Sequence, residues 1–401
     1  MESFDIAIIG AGISGISFAL ALEKHAYSHI MLEANDYAGG TIETFHSQKA
    51  ADFWLEMGAH TAYNSYHHLL DYLVKQQLAE QIVKRKKLPF RLLNEKNHIT
   101  SLTKPLNLFR AAPGWPLFSL TKAKGRTVRE YFRLLFGTKN YDKVLSYCFN
   151  AVLCHNADNF PADFLFKKRC KNKHYPRSFT LSQGLGTLFD KKVTDKLNLR
   201  YQSPCTFIEY RQNHWHVHSG KQTYRAKKLM LATPWHVTCA LLDNINHPIA
   251  QLPFSPKLSR FQSTGLVFEK TKLAHIPNLA GLIGIRQNFY SAVAKDVIEH
   301  PKYRGLTVHF EGVDISPWTL INHFLNKLNI PKSALVDSKV KQNCLPIYHQ
   351  QHGKFIQALD NELTKDKRLF LSGNYFTRLA IEDCIKRSKH ECERFINSDS
   401  L

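Results

Sequence analysis

The sequence predicts an α/β fold: a parallel sheet flanked by helices, built from segments far apart in the chain, with a second α+β domain and a helical insertion. Three observations predict it. An apolar run at residues 4–9 leads through a glycine turn into a helical pattern and a second apolar run that ends at Glu33. Short strand patterns follow one another between residues 205 and 231. A last apolar run at residues 369–371 again meets a glycine and then a helical pattern. Strand-length apolar runs alternating with 3.6-residue periodicity are what a sheet covered by helices requires.

The first element is a dinucleotide-binding pattern. Gly10-Ala11-Gly12-Ile13-Ser14-Gly15 reads GxGxxG between the strand 4–9 and the helix 16–24. Gly10 permits the tight turn, Gly12 lets the backbone approach a pyrophosphate, and Gly15 lets helix and strand pack together. The helix N-terminus offers N–H groups and a partial positive charge to phosphates. The strand 30–32 ends on Glu33, 18 residues beyond Gly15. There, with Ala34 beside it, a carboxylate accepts bonds from both ribose hydroxyls and repels a 2′-phosphate, which disfavours NADP.

At 401 residues the chain has room for two domains, and its 44% hydrophobic content supplies large cores. The formal charge of +21 suits nucleic acid, anionic lipid or an acidic small molecule. Cations cluster at residues 84–87 and 167–173. No zinc-finger spacing and no basic helix of DNA-reading type accompanies them, so nucleic acid is not an expected partner; a solvated basic face is the plain alternative. The eight cysteines form no CxxC pair, which suggests a reducing compartment, and no metal-ligand spacing is present. The first strand begins directly after Met1-Glu2-Ser3, without a signal-peptide pattern, and no apolar run nears the ~18 residues of a membrane span. A cytoplasmic protein is expected, with peripheral contact at the inner face of a membrane as an option.

Beyond Glu33, Gly39-Gly40-Thr41 places a flexible double glycine beside the same phosphates, and Glu56-Met57-Gly58-Ala59-His60 adds an acid-x-Gly element. These motifs resemble the FAD-dependent amine oxidase and carotene desaturase superfamily. There the acidic ribose ligand, the double glycine and the later acid-x-Gly stretch all surround the cofactor. The resemblance implies FAD, held in a Rossmann-like domain of the glutathione reductase type with a β-meander. Thr41 departs from the basic residue that commonly follows the double glycine.

Residues 66–84 carry apolar side chains at helical spacing, ended by the basic run and Pro89. Residues 88–93 and 98–102 read as short strands. Residues 105–122 hold Pro113-Gly114-Trp115-Pro116, which fits either a core-covering or a membrane-touching loop. Residues 127–136 and 141–154 are expected helices, and 89–177 a largely helical insertion. Ser178-Phe179 and Gly184-Leu185-Gly186-Thr187-Leu188 narrow the likeness to the protoporphyrinogen oxidases, which carry Ser-Phe and GL-x-x-L elements there. The meander 205–210, 215–219 and 225–231 follows. Cys205 matches the position whose backbone meets the adenine in that superfamily. Residues 229–234, ending Thr233-Pro234, look like the strand by which the superfamily's chain leaves the FAD domain. Strands at 260–268, 280–285 and 305–311 and a helix at 317–328 suggest the substrate domain.

Pro346-Ile347-Tyr348 with His352, and Asp383-Cys384-Ile385, again resemble protoporphyrinogen oxidases. By that likeness Gly373 and Asn374 lie at the last FAD motif, and Ile381 and Glu382 offer backbone N–H groups to the flavin. Arg378 and Lys389 occupy places usually given to glycine. The implied division is an FAD domain from 1–88, 178–235 and 345–401, the insertion 89–177 and a substrate domain 236–344.

No catalytic triad appears, as expected where a flavin supplies the redox chemistry. The resemblance implies an oxidase that converts a porphyrinogen to a porphyrin in haem synthesis with dioxygen as acceptor. Its substrate would be an acidic tetrapyrrole. Tyr375, Phe376 and Arg378, beside the last flavin motif, are the candidate substrate-side residues; Arg378 fits either a carboxylate ligand or an outward cation. An amine oxidase-like enzyme and a non-catalytic flavin-binding protein remain the alternatives.

Overall fold

The computed structural model describes residues 2–58, 61–107, 122–165, 167–312, 314–376 and 378–398. Two seven-stranded sheets organise the chain. In the first, Ser3–Ile9 lies between His29–Leu32 and Gln222–Leu231, parallel to both. Leu369–Leu371 adds in parallel to Gln222–Leu231, and the meander strands His214–Ser219 and Phe207–Arg211 continue the other way. The strands nearest the centre read as continuous apolar runs because both faces are covered. Ile6, Ile8, Met230 and Phe370 pack under the helices Ile13–Leu22 and Ile381–Asn397. Ala7, Leu229, Leu231 and Leu369 face Trp235 and Phe355 on the other side.

The second sheet runs Leu335–Ile347, Lys257–Glu269, Tyr303–Glu311, Phe289–Ala294, Gly281–Gly284, Phe90–Leu93, Ile99–Ser101. The helix Pro317–Lys327 packs Leu320, Ile321 and Phe324 against one face. Two strands expected to open the helical insertion, Phe90–Leu93 and Ile99–Ser101, instead extend this sheet through the pairing of Phe90–Leu93 with Gly281–Gly284. The long strand Leu335–Ile347 was not among the expected strands, because its half-exposed positions carry no clean apolar alternation.

The helix expected at 66–84 is shorter, His67–Lys75. Gln77 takes a left-handed φ of +58°, and Leu78 N donates to Leu73 O at 2.8 Å, which closes the helix. Leu78 and Ile82 kept the apolar period, yet Leu78 belongs to the turn and Ile82 opens the strand Ile82–Lys84. The helix expected at 141–154 is Ser146–Leu153 preceded by a π turn, Tyr141–Leu145. Most of the Pro-rich stretch at 105–122 lies outside the described residues. Among the described residues no helix is long and apolar enough to cross a membrane.

Candidate cofactor and substrate site

The glycine turn is held by backbone contacts that exclude a side chain. Ala232 N donates to Ile9 O at 2.8 Å, so a Cβ on Gly10 would lie 2.8 Å from Ala232 O. A Cβ on Gly15 would lie 2.0 Å from Gly10 O. Gly12 caps the helix Ile13–Leu22 without a side-chain hydrogen bond, leaving its first N–H groups directed at a ligand. Gly39 N donates to Ala11 O at 2.9 Å, and Gly12 and Gly39 form a parallel bridge. The GxGxxG turn and Gly39-Gly40 are therefore one strip of bare backbone.

Glu33 is buried at the end of the second strand. Its Oε2 accepts from Ala11 N at 2.8 Å, and its Oε1 accepts from Asn35 N and Nδ2 at 3.0 and 2.9 Å. Ser203 N donates to Glu33 O at 2.8 Å, which brings the turn ending at Cys205 alongside. Burial pushes the Cys205 thiol up to about 12, so it stays protonated there. Thr233, beside Gly10, shares a 2.8 Å hydroxyl hydrogen bond with Thr238.

The last helix completes the cradle. Ser388 Oγ donates to Ser14 O at 2.8 Å and lies 2.8 Å from Ser372 Oγ. Lys389 is accommodated by an ion pair to Asp71 on the helix His67–Lys75. The Glu382 carboxylate accepts from His68 N and Leu69 N at 3.2 and 3.0 Å, capping that same helix. Tyr375 and Phe376, the candidate substrate-side rings, do not line the neighbouring cavity. They are 0% and 1% exposed, packed in the core with Trp235, whose ring centroid is 5.1 Å from that of Tyr375. The turn after Leu369–Leu371 sends them inward and leaves Asn374 and Arg378 on the cavity side.

That cavity has a volume of about 1070 Å³. It begins at Ile13, Thr41, Ile42, Gly58 and Ile381 beside the cradle, and extends to the second sheet at Phe261, Ile283 and Val293. Phe160, Phe164, Leu165 and Val152 cover it. Both cation clusters of the sequence converge on it: Lys84, Arg85, Lys86 and Lys87 from one side, Lys167 and Arg169 from the other, joined by Arg177 and Arg378. Arg169 is paired with Asp383 at 2.6 Å. Arg378 donates through one nitrogen to Asp163 O at 2.8 Å, while its buried Nε has no hydrogen-bond partner among the described residues. Burial pulls the Arg378 guanidinium below its ordinary value, and Asp383 opposes that shift.

Glu56 ends the short strand Trp54–Glu56. Its carboxylate accepts from Leu185 N at 2.7 Å and from Thr44 Oγ1 at 3.0 Å. Burial pushes it up to about 7, despite those bonds and the nearby cations Lys295 and Arg85. Burial pulls the Lys295 ammonium down to about 8 against the pull of Glu56. Ala59 and His60, the end of this acid-x-Gly element, lie outside the described residues.

Sequence reasoning missed Lys341. Its ammonium donates to Gly40 O at 2.8 Å and pairs with Glu43 at 2.7 Å. A cation thus reaches the double glycine from the second sheet, although Thr41 follows it in sequence. The signal lay in polar residues at inward positions of the long strand, a pattern shared by Ser263, Ser291 and His309 on neighbouring strands.

Residues 8–75 match the family model of the NAD(P)-binding Rossmann-like domain. No curated protein matches the chain. Among solved structures, a candidate protoporphyrinogen oxidase from Exiguobacterium sp. 255-15 is similar over 100% of this chain and 99% of its own, with TM-score 0.78 at 16% identity. The chain has the same fold. Cyclohexylamine oxidase from Brevibacterium oxydans IH-35A is similar over 99% of this chain and 100% of its own, with TM-score 0.75 at 14% identity. A CLA-producing fatty acid isomerase from P. acnes is similar over 98% of each chain, with TM-score 0.72 at 15% identity. One architecture serves three chemistries, so the substrate has to be argued from the cavity.

Proposed function

We propose that this protein is an FAD-dependent oxidoreductase that oxidises an acidic tetrapyrrole, a porphyrinogen, to the porphyrin with dioxygen as final acceptor. The observation that carries the reading is the convergence of two cation clusters, some 80 residues apart in sequence, on one apolar cavity continuous with the dinucleotide cradle. A porphyrinogen is a large apolar ring bearing carboxylates, and such a wall-and-rim arrangement suits it. A cationic amine would meet repulsion from the same rim.

The cradle residues fit FAD. Gly10 and Gly15 hold the turn closed on its own backbone, Gly12 leaves room for a pyrophosphate at the helix N-terminus, and Glu33 would meet the ribose hydroxyls. Gly39, Gly40 and Thr41 would flank the phosphates; Gly58, Gly373, Asn374, Ile381 and Glu382 would border the ring, and Cys205 and Thr233 the adenosine side. When bound, FAD supplies a two-electron acceptor for a hydride from carbon. The chain's own residues do the rest. Phe160, Phe164 and Leu165 exclude water from the ring. Arg378, fixed on Asp163 O, and Lys167 hold a carboxylate at the rim and so orient the macrocycle.

The test is anaerobic mixing of the yellow protein with coproporphyrinogen, protoporphyrinogen and a panel of amines. The porphyrinogens are expected to bleach the flavin and the amines to leave it oxidised. Bleaching by amines alone overturns the reading, and bleaching by nothing points to a flavin-binding protein without this activity. The Arg378→Met variant is expected to retain flavin and to raise KM for the porphyrinogen about tenfold, the loss of one charged hydrogen bond.

A further inference from the structure

The wall of the cavity opposite the glycine cradle is not uniformly apolar. Ser291, His309 and Ser263 lie in one row across three neighbouring strands, since Ser291 pairs with His309 and His309 with Ser263. They are 3%, 1% and 0% exposed. Side chains of one alternating set point to the same face of a sheet. Ser291 and His309 both line the cavity, together with Asn343 from the long strand. Ser263 braces the row: its Oγ lies 2.8 Å from His309 Nδ1 and accepts from Asn343 Nδ2 at 2.8 Å. With its amide nitrogen engaged there, Asn343 keeps Oδ1 as an acceptor. Ser291 Oγ is buried without a hydrogen-bond partner among the described residues. A buried hydroxyl without a partner is costly, so its place in a cavity wall calls for a polar ligand group. Around this patch stand Phe261, Ile283, Val293 and Leu345, all apolar.

We propose that Ser291, His309 and Asn343 form a subsite for the N–H groups at the centre of a puckered apolar macrocycle, whose saturated bridging carbons let them turn out of the mean plane. The subsite is separate from the cationic rim that takes the carboxylates. Resting on the tetrapyrrole reading, it assigns pyrrole N–H groups to the sheet wall and propionates to Arg378 and its neighbours. The rim then selects for charge, and the patch selects for a ring that still carries N–H. A metal-filled ring lacks those donors and leaves Ser291 Oγ unpaired, the arrangement that discriminates most strongly between related ligands.

The experiment titrates the flavin-loaded protein, kept anaerobic with its flavin reduced by dithionite so that no turnover occurs, with mesoporphyrinogen and, separately, with nickel(II) mesoporphyrin, following quenching of tryptophan fluorescence. Wild type is expected to bind the porphyrinogen about tenfold more tightly than the nickel complex, the worth of one or two net hydrogen bonds. Ser291→Ala removes no internal hydrogen bond, and Asn343→Leu keeps the branching; the double variant is expected to bring the ratio near one. Arg378→Met is expected to weaken both ligands alike. If both ligands bind wild type equally, or if the double variant keeps the wild-type preference, the subsite is wrong while the cavity reading stands. If neither ligand binds, the tetrapyrrole reading itself fails and the subsite with it.

Discussion

At the scale of single residues, the glycines and Glu33 carry the most demanding geometry. Gly15 is packed so closely on Gly10 O that an added methyl has no room. Gly15→Ala is expected to cost about 3 kcal/mol or more, read as a large drop in melting temperature. Glu33 has two roles in the proposed function, since its carboxylate accepts from Ala11 N and would also meet the ribose. Glu33→Ala is expected to lose flavin on dialysis, with affinity down at least about tenfold; a protein that stays equally yellow would remove Glu33 from the site. These residues were legible in sequence because each obeys a local rule tied to the turn itself. Tyr375 and Phe376 were not. Their closeness in sequence to Arg378 says nothing of direction, and large apolar rings go to the core while the cation stays at the cavity.

At the scale of elements, helix ends separate what the sequence states from what packing decides. Thr127 caps Val128–Phe136 with a reciprocal pair: Glu130 N donates to Thr127 Oγ1 at 3.2 Å and Thr127 N to Glu130 Oε2 at 2.8 Å. This end was readable because the capping signal lies within four residues. Thr127→Ala is expected to destabilise by about 1 kcal/mol in chemical denaturation, with flavin content unchanged. The helix His67–Lys75 was over-extended because Leu78 and Ile82 continue its period from a turn and a strand. Its N-terminus depends on Glu382, more than 300 residues away, a partner no local reading supplies. Strand partners are equally non-local, which is why Phe90–Leu93 was placed with the insertion and not with the second sheet.

At the scale of the whole molecule, one titrating residue ties the small sheet of Thr44–His46 and Trp54–Glu56 to the second seven-stranded sheet. Glu56 comes from the strand Trp54–Glu56, and the backbone of this residue also accepts from Thr307 of the second sheet at 2.7 Å. Its carboxyl rises from an ordinary 4.5 to about 7 on folding. A carboxyl with a raised folded-state pKa binds its proton more tightly when folded. Its contribution to stability is therefore complete below about 4.5 and is lost as pH rises through about 7. The melting temperature of wild type is expected to fall across that window by more than that of Glu56→Gln, which has nothing there to titrate. Equal pH profiles for the two proteins would mean that the carboxyl is not held in this way. The convergence of the basic clusters belongs to this scale too: each was evident in sequence, but their meeting at one cavity is a product of the fold. The hydrogen bond from Ser388 to Ser14 has a consequence for biogenesis. Translation at 5–20 residues per second leaves the amino-terminal segment waiting roughly 20–80 s for the residue that clamps it. A nascent polypeptide thus lacks the last wall of its glycine cradle until residue 388 has been made, and nothing can be held between both walls before then.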